Sequence, residues 1–129
     1  METIFLNIKA LGKGRPRMTR SGIVYTPQKT REYERRVREA YTGECFPGKV
    51  AVTIVAYYEP PKSLSPKKRD ELLGSRYDKK PDLDNMAKAV LDALNGKAYT
   101  DDMKVVQLTV NKFYGSPESL VVYVEEVEQ

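Results

Sequence analysis

Alternation opens the chain. In residues 2–10, ETIFLNIKA, the apolar Ile4, Leu6, Ile8 and Ala10 fall on one face, which predicts a half-buried strand. The pattern then breaks. Residues 11–26, LGKGRPRMTRSGIVYT, hold three glycines, one proline and four cations, and predict a long basic loop with room for a short hairpin. Thr26-Pro27 predicts a helix start, with Thr26 as cap and Pro27 at the first helical position. That helix runs to about Thr42 and stops at Gly43, with Tyr33, Val37, Ala40 and Tyr41 on one side and Arg31, Arg35, Arg36 and Arg38 around the rest.

Residues 49–59, KVAVTIVAYYE, are apolar on both faces apart from Thr53, which predicts a central strand stopped by Pro60-Pro61. Residues 62–80 form a basic connector, with a short helix from Pro66 to Leu73 capped by Ser65 and ended by Gly74. A connector of that length inside a compact domain is usually functional or mobile. Residues 82–95, DLDNMAKAVLDALN, carry the clearest helical stripe: Leu83, Met86, Ala87, Val90, Leu91 and Leu94, opened by Asp82 and closed by Gly96. After a turn at Tyr99-Thr100-Asp101-Asp102, a strand alternates over residues 104–114, and a Gly-Ser-Pro-Glu turn leads into a last strand from Leu120 to Val127. The spacing predicts that these two strands form a hairpin. The fold class expected is α+β: a single domain over residues 1–129, with a mixed sheet of four or five strands and two main helices packed on one side.

Composition narrows the chemistry. The chain has 129 residues, one cysteine and no histidine. Cys45 alone makes neither an internal disulfide nor a Cys-rich zinc site, and reads as a small hydrophobe near a helix end. The absence of histidine excludes Ser-His-Asp and Cys-His catalysis and His-ligated zinc. No apolar run approaches the roughly 20 residues that span a bilayer, and the N-terminus does not have the build of a signal peptide. The expected location is the cytoplasm. Residues 1–81 carry 18 Lys/Arg against 9 Asp/Glu, a net of +9, and residues 82–129 carry 4 against 9, a net of −5. A basic part beside an acidic part suggests a polyanion surface near a cation site, although a solvated mixed surface would give the same count.

The acidic part concentrates at one place. Asp82 and Asp84 open the helix over residues 82–95, which sets Asp84, Lys88, Asp92 and Asn95 opposite the apolar stripe, and Asp101-Asp102 follow on the turn beyond it. Hard cations such as Mg²⁺ take oxygen ligands, usually only a few carboxylates. The same residues also have ordinary uses: Asp82 as a cap, Asp84 against the helix dipole, Asp101-Asp102 as turn formers, and Lys88 as an ion-pair partner of Asp84 or Asp92. Spacing alone leaves both readings open.

A wider pattern goes beyond spacing. Lys80-Pro81-Asp82-Leu83-Asp84-Asn85, then Lys88, then Asp92-Ala93-Leu94, then Asp101-Asp102 and Val105-Val106 resembles the signature of RusA-type Holliday-junction resolvases. Upstream, Gly14-Arg15-Pro16-Arg17, Tyr25-Thr26-Pro27 and Thr30-Arg31-Glu32-Tyr33 resemble the N-terminal part of phage and prophage members, so the resemblance covers nearly the whole chain. It implies a homodimeric endonuclease that binds four-way DNA junctions and cuts paired strands with Mg²⁺ or Mn²⁺. It also implies metal ligands at Asp82, Asp84 and Asp102, and a functional lysine at Lys88. One departure is Pro81, where some members carry arginine; here Lys79 and Lys80 lie just ahead of it.

On that resemblance, DNA contact is expected from Arg15, Arg17, Arg20, Arg31, Arg35, Lys67, Lys68, Arg69, Lys79 and Lys80, as salt-sensitive phosphate binding. Tyr25 could stack on an unpaired base or pack in the core. Strand 49–59 and the C-terminal strand pair are candidate dimer surfaces. Rival readings are a metal-dependent nuclease for other branched DNA, a non-catalytic branched-DNA binder, and a D-x-D phosphohydrolase or glycosyltransferase, the last disfavoured because this D-x-D starts a helix.

Overall fold

The apolar segments become strands because each has a partner that covers it. In the computed structural model, which describes residues 1–129, the elements are β1 (Glu2–Leu6), β2 (Arg17–Met18), β3 (Val24–Tyr25), α1 (Gln28–Ala40), β4 (Val50–Tyr58), α2 (Pro66–Leu72), α3 (Leu83–Leu94), a 3-10 turn (Asp102–Lys104), β5 (Val105–Tyr114) and β6 (Ser119–Glu126). The main sheet has the order β1-β6-β4-β5. β4 runs parallel to β5 and antiparallel to β6, and β1 runs antiparallel to β6. This is a mixed sheet in an α+β fold, as the patterning predicted. β2 and β3 form a separate small hairpin inside the basic loop.

One face of the sheet carries the core. Val50, Val52, Ile54, Ala56 and Tyr58 of β4 alternate inward beside Leu120, Val122 and Val124 of β6 and Ile4 of β1. α1 covers them with Tyr33 and Val37, and α3 with Met86, Ala89, Val90 and Leu94. Burying each larger aliphatic side chain contributes roughly 1.5–3 kcal/mol. On the other face of β4, Thr53, Val55 and Tyr57 are only half-buried, so β4 is central by position without being covered on both sides.

The structure corrects three expectations. β5 and β6 are not a hairpin, because β4 lies between them. The turn that joins them straddles the end of β4: Gly115 N–H donates to the Tyr58 carbonyl at 2.9 Å and Ser116 Oγ bonds Glu59 at 3.0 Å. A side chain at Gly115 would press on the Tyr57 ring, so glycine is what allows the crossing. The first helix begins one residue later than expected, with Pro27 itself as N-cap and no side chain capping it. Cys45 is exposed rather than packed. The short helix and its Ser65 cap match the expectation: Ser65 Oγ accepts from Lys68 N–H at 3.3 Å, and Gly74 lies at φ +85°.

Candidate active site

α3 brings the carboxylates to the surface. Its buried stripe pins one side against the sheet, which leaves Asp84 and Lys88 exposed and Asp92 half-exposed on the other. Beyond its end, the Asn95 side chain accepts the Asp102 backbone N–H at 3.1 Å. Asp101 caps the 3-10 turn through Met103 N–H at 3.0 Å. The two neighbours therefore divide the labour: Asp101 supports the turn, and Asp102 lines a shallow cleft of about 240 Å³ with Asp84, Lys88, Asp92 and Leu108. The cleft lies between α3 and the first half of β5.

Asp82 stands at the N-cap of α3, but its side chain makes no cap bond. The ordinary use of an aspartate there is therefore not the one adopted. It is not among the residues lining the cleft, and no three Asp, Glu, His or Cys side chains converge closely enough to hold one ion between them. Of the three expected ligands, Asp84 and Asp102 come together and Asp82 stands at the helix entrance beside them. A chain without histidine offers only oxygen donors here. Two carboxylates in an open cleft fit a hard cation that keeps waters and takes substrate phosphate for its remaining positions.

The electrostatics fit that reading. The pKa of Asp102 is raised, first by the hydrogen bond from Asp101, then by partial desolvation and the negative charges of Asp101 and Asp92, while Lys88 pulls the other way. Such crowding of like charge is what a cation relieves. Asp92, by contrast, is already neutralised: Lys13 Nζ lies 3.1 Å and Lys88 Nζ 3.3 Å from its Oδ2. The sequence left Lys88 between Asp84 and Asp92, and the structure pairs it with Asp92.

Two residues that sequence reasoning passed over hold the helix entrance. Lys112, on β5, donates from Nζ to the carbonyls of Lys79 at 2.5 Å and Pro81 at 2.6 Å, the segment that leads into Asp82. Lys13 donates its backbone N–H to the Asn85 carbonyl at 3.0 Å and its Nζ to Glu34 at 2.6 Å. Burial pulls the Lys13 pKa down, but the bonds and charges of Glu34 and Asp92 outweigh it and leave the ammonium above its ordinary range. Neither residue had a local signal, because both act across long sequence separations. Arg38 likewise bonds the carbonyls of Ala93 at 3.2 Å and Asn95 at 2.7 Å, closing the C-terminal end of α3.

The expected DNA contacts are spread over the surface. Arg15, Arg17 and Arg20 lie exposed on or beside the β2–β3 hairpin, with Tyr25 44% exposed and so outside the core. Arg31 and Arg35 are exposed on α1, and Arg35 pairs with Glu39 at 3.1 Å. Lys67 and Lys68 are exposed on α2, whereas Arg69 is half-buried. Lys79 and Lys80 are exposed just ahead of Asp82.

A carboxylate cleft set among so many cations defines a protein built to act on a polyanion. The sequence comparison makes this specific: the chain belongs to the RusA endodeoxyribonuclease family, whose model, described as Endodeoxyribonuclease RusA, matches residues 7–125. It is therefore a nuclease by family. It is also 35% identical over 128 residues to the uncharacterized protein YqaN of Bacillus subtilis (strain 168), covering 91% of this chain and 90% of that protein. No helix is long and apolar enough to cross a membrane.

Proposed function

We propose that the protein is a Mg²⁺-dependent endonuclease that resolves four-way DNA junctions in recombination and repair, acting in the cytoplasm as a homodimer of single-domain chains. The observation that carries this reading is that Asp84 and Asp102, distant in sequence, line one cleft with Lys88 in a chain of the RusA family. Asp84 and Asp102 would hold the ion, Asp82 would join them from the helix entrance, and Mn²⁺ could substitute for Mg²⁺. When bound, the metal supplies a Lewis acid for the phosphodiester and a more acidic water. Lys88, oriented by Asp92 at 3.3 Å, adds positive charge at the scissile phosphate. The exposed cations of the hairpin, α1, α2 and residues 79–80 hold the DNA backbone.

The test is cleavage of a synthetic mobile four-way junction with Mg²⁺, beside matched duplex and flap. Asp84→Asn and Asp102→Asn should each lower cleavage by about 10³-fold or more while junction binding persists. Undiminished cleavage in either variant would end the ligand assignment. Equal cutting of flaps and forks would move the substrate to branched DNA in general. Binding with no Mg²⁺-dependent scission would favour the non-catalytic binder.

The dimer has a physical motive, since two symmetric cuts call for two sites related by a two-fold axis. Residues 74–77 bond to β5 at Lys112 and Tyr114, so the bare edge of the sheet is the first half of that strand. Val106 is 57% exposed there and the neighbouring Met103 75%. A second copy is the occupant this edge suits. Val106→Lys should shift sedimentation toward monomer, and an unchanged profile would move the interface elsewhere.

A further inference from the structure

We propose that the start of α1 is a separate phosphate-binding site. Only the source of the phosphate, a backbone phosphodiester of the DNA, rests on the nuclease reading. α1 begins without the cap that a helix of its length normally has: Pro27 offers no side-chain acceptor, and no acidic residue stands in the first turn. The first intrahelical bond is from Arg31 N–H to the Pro27 carbonyl at 3.1 Å, so the N–H groups of Gln28, Lys29 and Thr30 have no backbone acceptor. Together with the helix dipole, three such groups favour an anion.

The second observation is the pocket at that helix start. It has a volume of about 360 Å³, and Arg15, Arg17, Lys29 and Thr30 line it with no acidic residue among them. Thr30 is only 6% exposed, and its hydroxyl makes no hydrogen bond within the protein. A buried, unpartnered hydroxyl is costly unless a ligand completes it. Gly14 keeps the hydroxyl accessible, because a Cβ there would collide with Thr30 Oγ1. Three cations, a hydroxyl donor and a helix N-terminus are a donor set for a tetrahedral oxyanion with two or more unesterified oxygens. The lining shares no residue with the carboxylate cleft, so the pocket would grip the backbone away from the bond that is cut.

The experiment is an amide NMR titration of the full chain at low ionic strength, first with inorganic phosphate and then with a metal-free four-way junction. The amides of Gln28, Lys29 and Thr30 should shift saturably with both. In Arg15→Gln/Lys29→Gln, half-saturation by phosphate should rise about tenfold. The salt dependence of junction binding should become shallower by about two in log–log slope. Absence of the shifts with phosphate, or shifts unaltered in the double variant, would overturn the site. Shifts with phosphate but not with the junction would overturn the DNA source in favour of free phosphate or a mononucleotide. A failed site with intact cleavage leaves the nuclease reading standing, and the converse result separates the two in the other direction.

Discussion

The two charged regions of the molecule are built in opposite ways. The carboxylates ride on α3, whose inner residues Met86, Ala89, Val90 and Leu94 are fully buried. The cations of the N-terminal arm ride on a hairpin of two residues per strand, in which Arg17, Met18, Val24 and Tyr25 are all exposed. The difference follows from what each must do. A hard cation needs oxygens held in place, and a rigid helix supplies that. Phosphate attraction needs charge at the right range and tolerates a loose carrier, which can adapt to a bent substrate.

The largest expected effect tests that contrast in stability. Leu94→Ala empties a fully buried position under α3 and should cost about 2–5 kcal/mol. Met18→Ala, at a position 67% exposed on the arm, should stay within about 0.5 kcal/mol. Urea unfolding of both variants measures this. Similar losses would mean that the arm is as much a part of the packed unit as α3 is.

The same contrast explains what the sequence revealed. α3 was legible to within a residue at each end because its stripe, its aspartate start and Gly96 all agree. The cleft was half legible: the Asp84–Asp102 pairing came through the family pattern, since spacing alone could not separate ligands from caps and turns. The β5–β6 pairing was misjudged because strand order depends on non-local competition. A short turn between two alternating strands favours a hairpin, yet β4, more apolar than either neighbour, takes the place between them. Lys112 and Lys13 were invisible because their partners are backbone carbonyls and carboxylates supplied by distant segments.

A middle-sized effect should come from Lys112. Its ammonium joins β5 to the carbonyls just before Asp82, so it fixes where the rigid helix begins without touching the ion. Lys112→Met keeps the stem that lies beside the Tyr77 ring and removes the donor. Supporting residues of this kind typically change metal affinity or activity by about 10- to 100-fold. The expected result is a rise of that order in the Mg²⁺ needed for half-maximal cleavage, with junction binding unchanged. An unaltered metal requirement would show that burial of α3 alone is enough to position the carboxylates.

The smallest effect concerns protons. Asp102 holds its proton to higher pH than an ordinary aspartate, chiefly through the hydrogen bond from Asp101. A metal ion must displace that proton, so metal binding should weaken on acidification sooner than the usual carboxylate range would imply. Above that range the carboxylate is ionised in any case, and the effect vanishes. Asp101→Asn keeps an acceptor for Met103 N–H but removes the carboxyl and its charge, so it should move the acid limb to lower pH. Mn²⁺ binding followed across pH, without DNA, isolates this from catalysis and from the arm. Superimposable limbs for the two proteins would mean that Asp102 does not contribute to metal binding. The ion would then rest on Asp84 and Asp82 at the helix entrance, and the fixed region of the molecule would be smaller than the cleft.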